Sequence, residues 1–246
     1  MKIEVLKKSL LANNEKAAEE NRRLLQRHNI TAVNLMGGAG CGKTTLLERV
    51  IPLLVREVAV AVLEGDLATT RDASRIAALG VPVIQLLTEG GCHLTATLVQ
   101  AGLERLPLTH IGLLLIENVG NPICPVNFDL GEHHRVALLS VAEGDDKPAK
   151  YPYLFKSADL VVITKMDLLK FTDFHRDRAL EHIRALDPDK NVLETSKDDA
   201  ASMGAVAEWL RAKCSVQRTP PEAVEVRSSK FEVRKRQQCR TLNFDL

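Results

Sequence analysis

No apolar run in this chain approaches the roughly 20 residues that a membrane-spanning helix needs, so no transmembrane segment is expected. The opening stretch, MKIEVLKKSLLANNEKAAEENRRLL, is too polar for a signal peptide, and a soluble, cytoplasmic protein is expected. Neither sign of charge dominates. The formal net charge of +1 supplies no overall pull toward nucleic acid or a membrane surface, so neither partner is expected. Cysteine is sparse and odd in number, 5 in 246 residues, which argues against a secreted disulfide framework and leaves thiols or metal ligands. No internal repeat is visible. What remains is ordinary globular composition, 45% hydrophobic and 26% charged with Gly 14 and Pro 10, enough to build one large α/β domain with tails.

Three stretches differ in pattern. Residues 1–29 carry Leu6, Leu10, Leu11, Ala17, Leu24 and Leu25 at helical spacing among charges and predict an amphipathic packing helix. Residues 30–213 place short apolar runs at 32–36, 58–63, 81–87, 111–116, 136–141, 160–163 and 192–193, most of them separated by helical stretches. Strands alternating with helices predict βαβ units and a mostly parallel, doubly wound sheet flanked by helices. Residues 214–246 read as a basic tail or arm, with Pro220-Pro221 and Arg234, Lys235, Arg236 and Arg240, although alternation at Val224, Val226, Phe231 and Val233 would allow a short hairpin.

The string Gly37-Gly38-Ala39-Gly40-Cys41-Gly42-Lys43-Thr44 follows an apolar strand and precedes Leu46, Leu47 and Val50 at helical spacing, as the pattern G-x-x-x-x-G-K-[ST] demands. Its glycines let successive N–H groups face phosphate oxygens while the following helix adds its positive end. Lys43 is expected to reach the β- and γ-phosphates, the Thr44 hydroxyl to ligate Mg²⁺, and Thr45 to stand beside the nucleotide. A Mg²⁺–nucleotide site also needs carboxylates at strand ends. Glu117 closes the run 111–116, with Gly120 placed to sense the γ-phosphate through its N–H. Asp66 or Asp72, after the second strand, could hold Mg²⁺ or orient the attacking water; a helix-capping role is the alternative for each acid.

Further along, Thr164-Lys165-Met166-Asp167 closes the run 160–163 and resembles the guanine-specificity motif of GTPases, with Thr where Asn is usual. A carboxylate there accepts from guanine N1–H and N2–H₂, an arrangement adenine does not offer, so GTP/GDP rather than ATP is expected. Thr195-Ser196-Lys197 would complete the base-side loop. Cys92-His93 and Cys124 fall in loops at the same rim. They are either three ligands of a Ni²⁺ or Zn²⁺ site, one short of a closed tetrahedron and completed by a second copy, or buried thiols beside a satisfied loop histidine.

Taken together, Glu64-Gly65-Asp66 with Asp72-Ala73, Gly91-Cys92-His93-Leu94, Ile116-Glu117-Asn118-Val119-Gly120-Asn121, Cys124-Pro125, Phe128-Asp129-Leu130-Gly131-Glu132 and Glu143-Gly144-Asp145-Asp146-Lys147-Pro148 with Lys150-Tyr151-Pro152 resemble the HypB family. These are nickel-incorporation GTPases of [NiFe]-hydrogenase maturation, and the resemblance runs from about Leu6 to Leu210. It implies a P-loop GTPase of the signal-recognition/Min-type class that dimerises on nucleotide and helps load nickel into the hydrogenase large subunit, with the nickel-binding protein HypA as a partner. It also implies that Cys92, His93 and Cys124 are interface ligands for nickel or zinc, that Lys43, Thr44, Asp72 and Glu117 form the phosphate–Mg²⁺ set, that Lys165 and Asp167 read the base, and that Lys150 reaches guanine from the neighbouring subunit. Thr95 stands where the family usually has Asp. The N-terminal cysteine motif and histidine-rich stretch of some relatives are absent, so nickel storage is not expected. Rival readings are a urease-accessory nickel GTPase, from which Cys92-His93 and the Glu-Gly-Asp-Asp-Lys string distinguish it, a small-molecule kinase, which Asp167 opposes, and a metal carrier with a vestigial nucleotide site.

Overall fold

Each apolar run of the sequence becomes a strand, and all pair in parallel. In the computed structural model, which describes residues 3–66, 70–88 and 90–214 with side chains from residue 11, the elements run α1 (Ile3–Arg27), β1 (Thr31–Gly37), α2 (Lys43–Leu54), β2 (Val60–Asp66), α3 (Arg71–Ala77), β3 (Val83–Leu87), α4 (Ala96–Leu103), β4 (Leu113–Glu117), β5 (His134–Ser140), α5 (Lys147–Lys150), α6 (Pro152–Ser157), β6 (Leu160–Thr164), α7 (Arg176–Leu186), β7 (Asn191–Glu194) and α8 (Ala200–Lys213). The 7-stranded sheet has the order β3-β2-β4-β1-β5-β6-β7. Leu6, Leu10 and everything proposed for the tail beyond Cys214 lie outside the described side chains. No helix among the described residues is long and apolar enough to cross a membrane.

Burial on both faces explains why the strands read as continuous apolar runs. Successive residues of β1 point to opposite sides, so Val33 and Leu35 join the core under α2 and α8, while Ala32 and Met36 face the opposite helices. On that second face Leu25 of α1 and Val99 and Leu103 of α4 cover β2 and β4, and Phe155 and Ile183 cover β5 and β6.

β1 is central, with β4 on one side and β5 on the other. The chain crosses from one side to the other at this point, and in open α/β sheets such a crossing places a ligand crevice at the carboxyl ends of the strands. The candidate site residues lie at that edge, in the loops leaving it or on the helices those loops lead into.

Candidate functional site

The loop between β1 and α2 is held from behind by the end of β6. Thr164 Oγ1 donates to the Cys41 carbonyl at 2.6 Å, and Lys165 Nζ donates to the Gly40 carbonyl at 2.7 Å. Thr164 thus buttresses the phosphate loop, a role its place in the base motif did not suggest. Gly42, directly before α2, has φ 100°, a left-handed angle that an L side chain adopts with strain. Lys43 is buried and curls back over the loop, its Nζ 3.3 Å from the Gly38 carbonyl. Cys41 is fully buried, and burial pushes its thiol up to about 11.

Across the cleft, the strand-end acids cluster. Thr44 Oγ1 donates to Glu117 Oε1 at 2.6 Å, joining the first turn of α2 to the end of β4. Glu117 pairs in register with Glu64 on β2, so the two carboxylates stand side by side on one face of the sheet. Both are almost fully buried, and Oε2 of each has no hydrogen-bond partner. Burial pushes Glu64 up to about 8, with Glu117 adding repulsion; burial pushes Glu117 up to about 7, against the hydrogen bond from Thr44 and the charge of Lys43. Asp66 and Asp72 line the same cleft, as do Lys43, Thr44, Thr45, Ala39, Gly40, Gly42 and Gly120. Asp72 accepts from Arg75 Nη1 at 2.8 Å, and Arg75 also clasps Glu48.

Glu64 and Arg75 were not singled out from the sequence. Glu64 sits in a quoted string, and its signal was a carboxylate inside a buried strand. Arg75 offered none, because its partners Glu48 and Thr45 come from α2 and Asp72 from its own helix, α3.

A second recess adjoins the first through Gly42, Thr45 and Lys165, and is lined by Thr164, Asp167, Leu168, Thr195, Lys197 and Met203. Lys165 takes a left-handed backbone angle, φ 62°, at the start of the turn that carries Asp167. Phosphate loop and base motif therefore form one continuous trough. Five expected residues do not line it: Gly37, Gly38 and Cys41 of the phosphate loop, Ser196 and Lys150. Ser196 lies between Thr195 and Lys197 without lining the recess, its N–H donating to Ser202 Oγ. Lys150 is exposed on α5 and pairs with Asp146 at 2.5 Å, away from the trough of its own chain.

Cys92, His93 and Cys124 come together, their ligand atoms all within 4.8 Å of one another and each residue half-buried. The His93 ring stacks on Phe128 with centroids 3.8 Å apart. Burial holds His93 below its usual range, and the hydrogen bond with Cys92 raises the Cys124 thiol. Two soft thiols and an imidazole converging at this range could hold a metal ion.

The chain from Glu117 to Cys124 joins the two clusters. Gly120 packs so tightly against the phosphate loop that a Cβ there would lie 2.7 Å from Ala39 Cα. Asn121 makes an antiparallel bridge to Gly37, and its Oδ1 accepts from the Cys124 N–H at 3.2 Å. Asn118 Oδ1 accepts from the Leu94 N–H at 3.2 Å, and Asn118 Nδ2 donates to Asn34. Thr95, where an acid was usual, caps α4 by accepting from the Leu98 N–H.

Comparison with known proteins converges on one family. The CobW/HypB/UreG nucleotide-binding domain matches residues 31–194. The hydrogenase maturation factor HypB of Azotobacter vinelandii is 43% identical over 228 residues, covering 89% of this chain and 75% of that protein. Among solved structures, HypB from Helicobacter pylori in complex with nickel superposes with a TM-score of 0.78 at 35% identity, covering 82% of this chain and 94% of the other. HypB from Archaeoglobus fulgidus gives a TM-score of 0.77 at 37% identity, covering 82% and 98%.

Proposed function

This chain belongs to the HypB family of CobW/HypB/UreG nucleotide-binding proteins, and from that membership we propose that it is a GTP-hydrolysing metallochaperone that delivers nickel during [NiFe]-hydrogenase maturation. The observation that carries the reading is the Glu117–Cys124 segment, which touches the phosphate loop at Gly120 and Asn121 and a metal ligand at Cys124. A cleft that senses the γ-phosphate can thereby move one of the ligands that hold the cargo.

The steps follow from the side chains. Loop amides and the start of α2 take the phosphates, and Lys43 gives up the Gly38 carbonyl to face the β- and γ-oxygens. The unpartnered Oε2 atoms of Glu64 and Glu117 fit a divalent cation, since a buried carboxylate oxygen without a partner is costly. Thr44, Asp72 and Glu117 would hold Mg²⁺, which would neutralise phosphate charge as the bond to the leaving oxygen breaks. Asp66 orients the attacking water. Asp167 reads guanine, Lys165 lies along the base, and Lys150, exposed on α5, would leave Asp146 to reach the base bound by a second copy. Cys92, His93 and Cys124 suit Ni²⁺ or Zn²⁺ as cargo, and because they leave a tetrahedron one ligand short, a homodimer completes the site. Release would hand nickel to the hydrogenase large subunit, with HypA as the nickel-binding partner.

The test is sedimentation of the protein with Ni²⁺ or Zn²⁺ and a non-hydrolysable GTP analogue, alongside GTP turnover. Metal and analogue together should favour the dimer more than either alone, because binding linked to association strengthens it reciprocally. Asp167→Asn should shift preference from GTP toward the xanthine nucleotide. A dimer indifferent to both ligands, or a base preference unmoved by that substitution, would overturn the corresponding part of the reading.

A further inference from the structure

Two buried asparagines on α1 tie together the chain segments that follow the Cys92–His93 pair and Cys124. Asn14 and Asn21 lie about two helical turns apart and so face the same side. Asn14 Oδ1 accepts from the Ala96 N–H at 2.8 Å, while its Nδ2 donates to the Asp129 carbonyl at 2.7 Å. Asn21 repeats the arrangement one level on, its Nδ2 donating to the Ala96 carbonyl at 2.8 Å and to the Leu130 carbonyl at 3.0 Å. Ala96 opens α4, directly after the loop that carries Cys92 and His93. Asp129 follows Phe128, on which His93 stacks, in the segment leaving Cys124. Each asparagine therefore ties the start of α4, where the Cys92–His93 loop ends, to the segment leaving Cys124.

The surroundings are shaped for this contact. Ala17, Ala18 and Ala96 form a buried cluster whose small side chains let α1 and α4 approach closely. Gly131 has φ +89°, and a Cβ there would lie 2.6 Å from the Ala18 carbonyl oxygen and 2.7 Å from Asn21 Cβ, so no larger residue fits between loop and helix. Arg22 adds a third tie, its Nη2 2.7 Å from Asp129 Oδ2. Packing alone would be served by apolar side chains here. Asn21 instead accepts the cost of a buried Oδ1 without a partner, which argues that its two donated bonds specify a position rather than add bulk.

We propose that α1 is the clamp that fixes the separation of the two metal-binding loops, with Asn14 and Asn21 as positioning residues for Cys92, His93 and Cys124. The proposal rests on the reading of that cluster as the cargo site. A ligand set is strong only when the groups behind it hold it in place, and loss of such supporting groups costs roughly 10–100-fold in metal affinity. The nucleotide trough has no contact with either asparagine and should not respond.

The experiment titrates the full chain with Co²⁺, whose thiolate charge-transfer band reports cysteine ligation and whose d–d bands report geometry. Asn14→Ala and Asn21→Ala should each bind Co²⁺ roughly 10–100-fold more weakly with displaced d–d bands, while binding GTP as the wild type does. Arg22→Ala removes a tie from the same helix without leaving a buried group unpaired, and should give a smaller shift in the same direction; it decides the matter if the asparagine variants do not fold. Wild-type Co²⁺ affinity and spectrum in a folded Asn14→Ala or Asn21→Ala chain, or in Arg22→Ala when neither of those folds, would overturn the clamp. Cys124→Ala separates this from the underlying reading: undiminished Co²⁺ binding there would overturn the cargo site itself, whereas loss there beside wild-type behaviour in the α1 variants would overturn the clamp alone.

Discussion

The phosphate trough and the Cys92–His93–Cys124 cluster share one edge of the sheet but are held in different ways. The trough is made largely of backbone at the ends of central strands, is buttressed by Thr164 and Lys165, and buries Lys43, Glu64 and Glu117 at its phosphate end. The cluster sits half-buried on loops, and its geometry depends on side chains reaching in from elsewhere, notably Asn121, Asn118 and Phe128. A site built into the sheet should fail through loss of a single charge. One propped by neighbours should fail through loss of a ligand or a prop while the rest of the protein works on.

The sharpest way to break the comparison is Lys43→Ala. Removing the loop's buried cation should lower GTP turnover by on the order of 10²–10³-fold or more, with Co²⁺ binding at the cysteines retained, as steady-state hydrolysis and a metal titration would check. Cys92→Ala or Cys124→Ala should do the reverse: metal is lost, by at least roughly 100-fold in affinity, while nucleotide binding persists. Thiolates bind metal after losing a proton, so affinity in the wild type should also fall as the buffer is made more acidic.

Gly120→Ala is aimed at the joint between the two regions. Its Cβ would collide with Ala39, and because both atoms belong to backbone or short side chains the loop must move, at a cost of about 1–3 kcal/mol. Both nucleotide and metal affinity should weaken, by about tenfold; a change in one alone, seen by calorimetry, would show that the two regions are independent.

The smallest effect is expected from Glu64→Gln in protein without metal or nucleotide. The carboxyl is raised from 4.5 to about 8 in the fold, so the native state holds a proton that the unfolded chain releases. That contribution to stability is fully present below pH about 4.5 and is lost as pH rises toward 8. Denaturant midpoints of the wild type should decline across that window, and the variant should flatten the decline, gaining on the order of 1–3 kcal/mol at its alkaline end. An identical slope in both would place the charge burden on Glu117.

Most of the fold was legible because a parallel sheet covered on both faces writes each strand as an apolar run. The starts were misjudged by about two residues at Val58, Val81 and Ile111. All three are buried, yet β2, β3 and β4 begin at Val60, Val83 and Leu113, because an apolar residue reports that it is covered and not that its backbone is paired. The phosphate loop was legible because its function needs consecutive residues. Glu64, Arg75, Asn14 and Asn21 were not, since what makes each matter is a partner far along the chain that only the folded register supplies. Thr164 shows the converse: the motif marked the right residue and concealed its bond to the Cys41 carbonyl.

The strand order has a further bearing, on how this protein is made. β1 carries the phosphate loop but pairs with β4 and β5, so Thr31 meets Leu113 and Gly37 meets Leu138. During synthesis the first strand leaves the ribosome with no neighbour to accept it, and its loop cannot be set until the chain has been translated past Ser140. Parallel pairing across such separations costs loop entropy before any contact repays it, so folding is slow in its opening steps. α1 likewise has its anchors at Ala96 and Asp129, later in the chain, and the long exposure of β1 in the nascent chain is the period in which a chaperone would have most to shield.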